Sequence, residues 1–149
     1  MEKLKQHFWV FIFPALLWML VIFIMSSIPG RYLPRGQTYH TIGHFIEYFI
    51  FGILLARALA HIRVKLNVWK LSFLSIALIV LFAVFDEWRQ SFVPGRSAIP
   101  ITILFDGLYA TLGVSLYSRI YFVMLMGKRK KMRSQRKASS PSAKGLGNS

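Results

Sequence analysis

The sequence predicts an all-α integral membrane protein, a bundle of four transmembrane helices with both termini cytoplasmic and a disordered basic C-terminal tail. Three observations predict it. Of the 149 residues, 55% are hydrophobic. Four long apolar runs alternate with short connections rich in Pro and Gly. Eight of the fourteen net positive charges come from residues 128 to 144, so the basic character describes a tail and not a binding face. A disordered chain and a soluble nucleic-acid binder are thereby excluded. With no cysteine there is no disulfide, thiolate metal site or cysteine nucleophile. Chemistry falls to His, carboxylate, Arg and hydroxyl groups.

Residues 8 to 28 (FWVFIFPALLWMLVIFIMSSI) are uncharged and would make roughly 30 Å of helix, the thickness of a hydrocarbon core. The run is longer than a signal-peptide core and lacks a small-residue cleavage site, so it is expected to be retained. Pro14 is expected to kink it. Further spans are predicted at 42–60, 68–85 and 101–126, the last long enough to tilt. The four spans form one domain, 8–126. Gly107, Ala110 and Gly113 recur at spacing three and are expected to let helices approach closely. Residues 127–149 have no acid and almost no apolar side chain, so they are expected to be disordered and to contact anionic cytoplasmic lipid, not a specific nucleic acid.

Orientation follows from the basic residues. Lys3, Lys5, Arg57, Arg63, Lys65, Lys70 and the eight of the tail fall on one side, against Arg31, Arg35, Arg89 and Arg96 on the other, with Arg119 snorkelling from the fourth span. The richer side is cytoplasmic. Trp9, Trp69, Trp88, Tyr117 and Tyr121 fall near span ends, where amphipathic rings prefer the interface.

The acids carry the functional signal. Of five, only Glu2 is in an ordinary place; Glu47, Asp86, Glu87 and Asp106 lie inside or at the ends of spans. A carboxylate at membrane depth is costly unless paired, protonated or facing water, so each is a functional candidate. Glu47 and Asp106 are each five residues in from the outer ends of their spans, roughly 7 Å deep. Asp86 and Glu87 terminate the third span on the same side, at a helix C-terminus where negative charge is disfavoured by roughly 0.3–1 kcal/mol. They need partners, and Arg89, Arg96 and Arg31 are the available cations. Arg31 and Arg96 each follow a Pro-Gly pair suited to a type II turn that would aim the side chain over the outer rim. Such an Arg can hold a carboxylate or a lipid phosphate. His40 and His44 sit above Glu47, with His44 and Glu47 on one helix face.

The bland alternatives are interhelical ion pairs that fix register and a packing role for His44. Ser26 and Ser27 fit either a bundle bond or a cavity wall; His61 and Glu2 read as solvated surface. His44, Glu47, Asp86, Glu87 and Asp106 have metal-compatible chemistry, but their spacing is not that of a metal motif, so no metal and no cofactor is expected.

The segments HFIEYFIFGILLA (His44–Ala56) and FDEWRQSFVPGRSA (Phe85–Ala98) resemble the two signature segments of the VanZ-like membrane protein family, in the same order and separated by one cytoplasmic loop. The resemblance covers roughly residues 10 to 120 and places Glu47, Tyr48, Asp86, Glu87, Gln90, Pro94, Gly95 and Arg96 on signature positions. In the fourth span Thr102 stands where the family shows an acid, Asp106 occupies the second polar position, Tyr109 replaces a glycine and Gly113 remains; Thr41 stands where a lysine is common. The resemblance implies a multi-pass protein of the bacterial cytoplasmic membrane. Its named relative gives low-level resistance to teicoplanin without altering the vancomycin target.

Together these readings give a candidate cluster of His44, Glu47, Tyr48, Asp86, Glu87, Gln90, Arg96, Asp106 and Arg31. The expected function is an outward-facing polar pocket for an outer-leaflet lipid or lipophilic amphiphile. An intramembrane enzyme acting on a lipid-linked envelope substrate, with a carboxylate or His44 as base, and a structural scaffold are the alternatives from other classes.

Overall fold

The computed structural model describes residues 2–33, 37–62, 66–96 and 99–138. Among them the chain is all-helical, with α1 (Glu2–His7), α2 (Phe13–Ser27), α3 (Gln37–Ala60), α4 (Val68–Gln90) and α5 (Ile101–Ala138). Four stretches are long and apolar enough to cross a membrane: Lys5–Ser27, Thr38–Ala60, Val68–Gln90 and Ile101–Arg136.

Pro14 does not break the first of these. The turn before it, Phe8–Ile12, widens to a π-helix in which the Phe13 N–H bonds the Phe8 carbonyl. This i→i−5 pattern makes room for a ring that would collide with the carbonyl four residues back. α4 starts where the Asn67 side chain accepts from the Lys70 N–H at 2.8 Å, an N-cap bond. It runs to Gln90, past the expected end at 85, so Asp86 and Glu87 lie inside the last turns of the helix. α5 likewise does not stop at 126 and stays helical to Ala138. Its unbranched Lys, Arg and Met residues are good helix formers, and propagation from an existing span needs no new nucleus. Residues 139–149 of the expected disordered tail lie outside the described residues.

Small residues are buried among larger ones in the interior, and many large apolar residues face outward. Ala15, Ala56, Ala83, Ala110 and Ser75 are buried, while Trp69 (86% exposed), Phe73 (76%) and Leu81 (67%) face outward. A soluble domain could not hold so much apolar surface in water; a lipid-embedded one does, since tails favour large side chains as much as a core would. The most extensive helix contact, α3 against α5, is backbone on backbone. A Cβ on Gly113 would lie 2.1 Å from the Phe49 carbonyl oxygen, and one on Gly52 would lie 2.4 Å from that of Ala110. Gly107, by contrast, meets only the Val80 side chain, at ordinary distance. The close approach expected of Gly107, Ala110 and Gly113 is thus carried by Gly113, with Gly52 as its counterpart on α3.

The two Pro-Gly connections meet at one end, where the Gly30 N–H donates to the Pro94 carbonyl at 3.1 Å. At the other end His61 stacks on Phe11 at 3.8 Å and Arg57 lies over the same ring at 5.2 Å. His61 is therefore half-buried against the first helix and is not solvated surface. Trp9, Trp69 and Trp88 are exposed, but Tyr117 is buried in the core rather than placed at an interface.

Candidate functional site

The polar side chains at the Pro-Gly end divide into two groups. The first joins α2 to α4. The Asp86 carboxylate accepts from Ser26 Oγ at 2.6 Å, Arg89 Nη2 at 2.9 Å and Gln90 Nε2 at 2.8 Å. Arg89 also donates to Ser27 Oγ at 2.9 Å, to Ser26 Oγ and to the Phe23 carbonyl at 3.3 Å, with its guanidinium 4.2 Å from the centre of the Phe23 ring. Asp86, Gln90 and Ser26 are buried. The need for a partner read from the sequence is met by Arg89, one turn along the same helix, and by serines of α2 whose role the sequence left open.

Glu87 finds a backbone partner. Its carboxylate accepts from the Ile99 N–H, at the chain's entry into α5, where an acid is favoured by the unsatisfied N–H groups and the helix dipole. Arg96 also bonds backbone: Nε donates to the Ile28 carbonyl at 3.2 Å and Nη2 to the Met25 carbonyl at 2.8 Å. It therefore holds the C-terminal carbonyls of α2, a favourable place for a cation.

The two Pro-Gly pairs behave differently. Val93–Arg96 forms a type II turn, with Gly95 at φ 74° and the Arg96 N–H bonding the Val93 carbonyl at 3.1 Å. At Pro29-Gly30 the chain enters a short 3-10 turn, Gly30–Tyr32. There glycine is required by contact, since a Cβ on Gly30 would lie 1.9 Å from the Gly95 carbonyl oxygen. Arg31 is carried onto the exposed face and lies over the Tyr32 ring at 4.7 Å. It forms no ion pair with an acid among the described residues, because the turn that would have aimed it at the rim is not made.

The second group joins α3 to α5. His44 Nδ1 and Asp106 Oδ1 are 2.9 Å apart and both residues are buried. His40 stacks on His44 at 4.3 Å, one helical turn toward the end of the bundle, and the buried Tyr48 ring lies on the other side at 6.1 Å. The Glu47 carboxyl is half-buried and makes no hydrogen bond or ion pair among the described residues. Its backbone carbonyl accepts from Trp18 Nε1 at 2.9 Å. Tyr48 is part of the packed core.

Beside the second group lies a cavity of about 490 Å³, the size of a site for a small organic ligand. Its lining includes the polar residues His40, Thr41, His44, Arg96, Thr102 and Asp106 and the largely apolar Leu33, Ile99, Ile101, Phe105 and Tyr109. Ile99, Ile101 and Phe105 are about half exposed, so the apolar lining continues onto the outer surface of the bundle. Glu47, Asp86, Glu87, Gln90 and Arg31 do not line it. Among the described residues no three His, Asp or Glu side chains form a group able to hold a metal ion.

Sequence reasoning missed the apolar lining and Thr41 and Thr102 as lining residues. The signal was available only in part: Ile99 and Ile101 flank Pro100 at the start of α5 and Phe105 follows one turn on, but nothing local shows that this stretch faces His40 and not lipid alone. A lining that combines imidazole, guanidinium and carboxylate with aromatic and aliphatic side chains can bind a molecule with one charged and one greasy end. No family model, no curated protein and no solved structure matches the chain.

Proposed function

We propose that the chain is a VanZ-like multi-pass protein of a bacterial cytoplasmic membrane whose cavity opens to the outer leaflet and binds a lipophilic amphiphile, lipid or lipoglycopeptide. The observation that carries this reading is the cavity at the Pro-Gly end, whose lining combines the polar His40, His44 and Arg96 with the apolar Ile99, Ile101 and Phe105. Orientation is supported by charge: the opposite end carries the Lys- and Arg-rich connection and the basic end of α5, and such flanks stay cytoplasmic. A bound amphiphile keeps its tail on the exposed Phe105 face, already in lipid, and its head among groups that need no water once satisfied.

Orientation is tested by alkylation. The chain has no native cysteine, so Tyr32→Cys should react with an impermeant maleimide from outside intact cells and His61→Cys only after lysis; the reverse pattern would sink the reading. Function is tested in a sensitive Gram-positive host expressing wild type, Glu47→Gln or Asp106→Asn, with membrane abundance measured in parallel. Wild type should raise teicoplanin resistance selectively over vancomycin, and the variants should lose that shift at normal abundance. A well-expressed wild type that shifts neither drug would detach the chain from this role.

A further inference from the structure

The amphiphile reading does not say which head the cavity accepts, and the geometry narrows it. Arg96 is a fixed cation on the wall. His40 and His44 stack beside it. His44 uses Nδ1 on Asp106. Two helices also begin at this space: His40 lies in the first turn of α3, and Ile101 and Thr102 open α5. The positive dipole end of α3 adds to the same field, while the start of α5 is already faced by Glu87.

The nearby acids other than Glu47 are each held by a partner. No acid occupies the first turn of α3 or α5. Asp86 is bonded to Arg89, Ser26 and Gln90, Glu87 to the Ile99 N–H, and Asp106 to His44. Only the Glu47 carboxyl is without such a bond among the described residues, and it lies off the cavity wall, one turn from His44 toward the middle of α3.

We propose that the cavity is a phosphate site, holding the phosphoester head of an amphiphile on Arg96 and His40, with its hold strengthened when His40 is protonated. This rests on the amphiphile reading and assigns its head. Around His40 the titratable and charged groups are His44 and Glu47 on α3, Arg96 on the connection, Asp106 and Tyr109 on α5, and Asp86 and Glu87 on α4. A bound anion favours the charged form of an imidazole beside it. A phosphodiester keeps one negative charge throughout this range, so pH dependence of its binding comes from the protein.

The test uses the full chain in neutral detergent, titrated with short-chain phosphatidylglycerol, diacylglycerol of the same chain length and inorganic phosphate, at about pH 5.5 and about pH 8, either side of an imidazole's ordinary pKa. Phosphatidylglycerol should bind about tenfold tighter than diacylglycerol, the scale of one charge-assisted hydrogen bond. Its binding should tighten several-fold at the lower pH. His40→Gln, at the exposed rim, should abolish that tightening while leaving the fold intact, and Arg96→Gln should lose most of the preference for phosphate. Lipid attracted only to the basic end of α5 would be indifferent to His40→Gln, which would overturn the assignment. Equal, pH-independent binding of both lipids would overturn the phosphate site and leave the amphiphile reading standing, whereas binding of neither would remove both. Displacement of the lipid by inorganic phosphate would support the site with the free anion as ligand; tight lipid binding in its presence would support the lipid head.

Discussion

The Asp86 network and the His44–Asp106 pair are both buried ionic contacts at the same end of one bundle, yet they differ in what they leave unused. Around Asp86 both carboxylate oxygens are bonded, and Arg89 is spread over a carboxylate, two hydroxyls, a carbonyl and a ring. That group ties α2 to α4 and leaves no Asp86 oxygen unused, although the buried Arg89 Nε has no partner among the described residues. The His44–Asp106 pair is a single contact with a cavity beside it. In a low-dielectric surrounding, polar groups that are fully satisfied rigidify, and those only partly satisfied have capacity for a ligand. The difference separates a structural acid from a functional one where the sequence presents four similar candidates.

The comparison breaks most visibly at Asp86. Asp86→Ala leaves the Arg89 charge without its carboxylate, and should destabilise the protein by about 3–5 kcal/mol, read as a fall in unfolding midpoint in detergent and in membrane abundance. A loss under about 1 kcal/mol would mean that the network does not tie the two helices. Next comes the frame of the second group. Gly113→Ala forces a methyl against the Phe49 carbonyl and should cost about 1–3 kcal/mol by overpacking. It should also separate α3 from α5 and weaken the His44–Asp106 contact. Gly107→Ala, with only Val80 nearby, should instead be neutral or stabilising by up to about 1 kcal/mol, from helix propensity alone. Equal effects from the two glycines would contradict the assigned contact.

Asp106→Asn should cost only about 1 kcal/mol, since an amide oxygen still accepts from His44, while the teicoplanin-selective shift is lost. A variant that stays functional would move the site away from this pair. The smallest effect is expected at Arg31, exposed on its turn: Arg31→Gln should change stability by less than about 0.5 kcal/mol, and a larger change would show that it has a partner.

Much of the fold was legible because a span announces itself by length and hydropathy alone, a property of consecutive residues. Span ends were less so. Asp86 and Glu87 read as terminators of α4 because charge and helix C-terminus conflict, but tertiary partners in α2 and at Ile99 remove the conflict and the helix runs on to Gln90. Gly113 was legible as a close-packing residue, whereas Gly52 was not, because its need for glycine exists only opposite Ala110. In the candidate site, the intramembrane acids stood out by their cost in lipid, but which of them faces a cavity depends on helix rotation, and rotation is set by neighbours.

By itself the sequence determined four membrane-crossing helices, one end rich in Pro-Gly turns, and a set of acids too costly to be incidental, since each follows from local hydropathy, turn chemistry and the penalty of charge in lipid. Only the tertiary structure decided that Asp86 is held by Ser26 as well as by Arg89 and Gln90 of its own helix, that Glu87 and Arg96 are turned to backbone, that Arg31 points away, and that His44 and Asp106 share the lining of a cavity with Phe105. The physical reason is that a carboxylate's role is fixed by which donors reach it, and the deciding ones come from residues about 60 positions away in the chain, as from Ser26 to Asp86 and from His44 to Asp106.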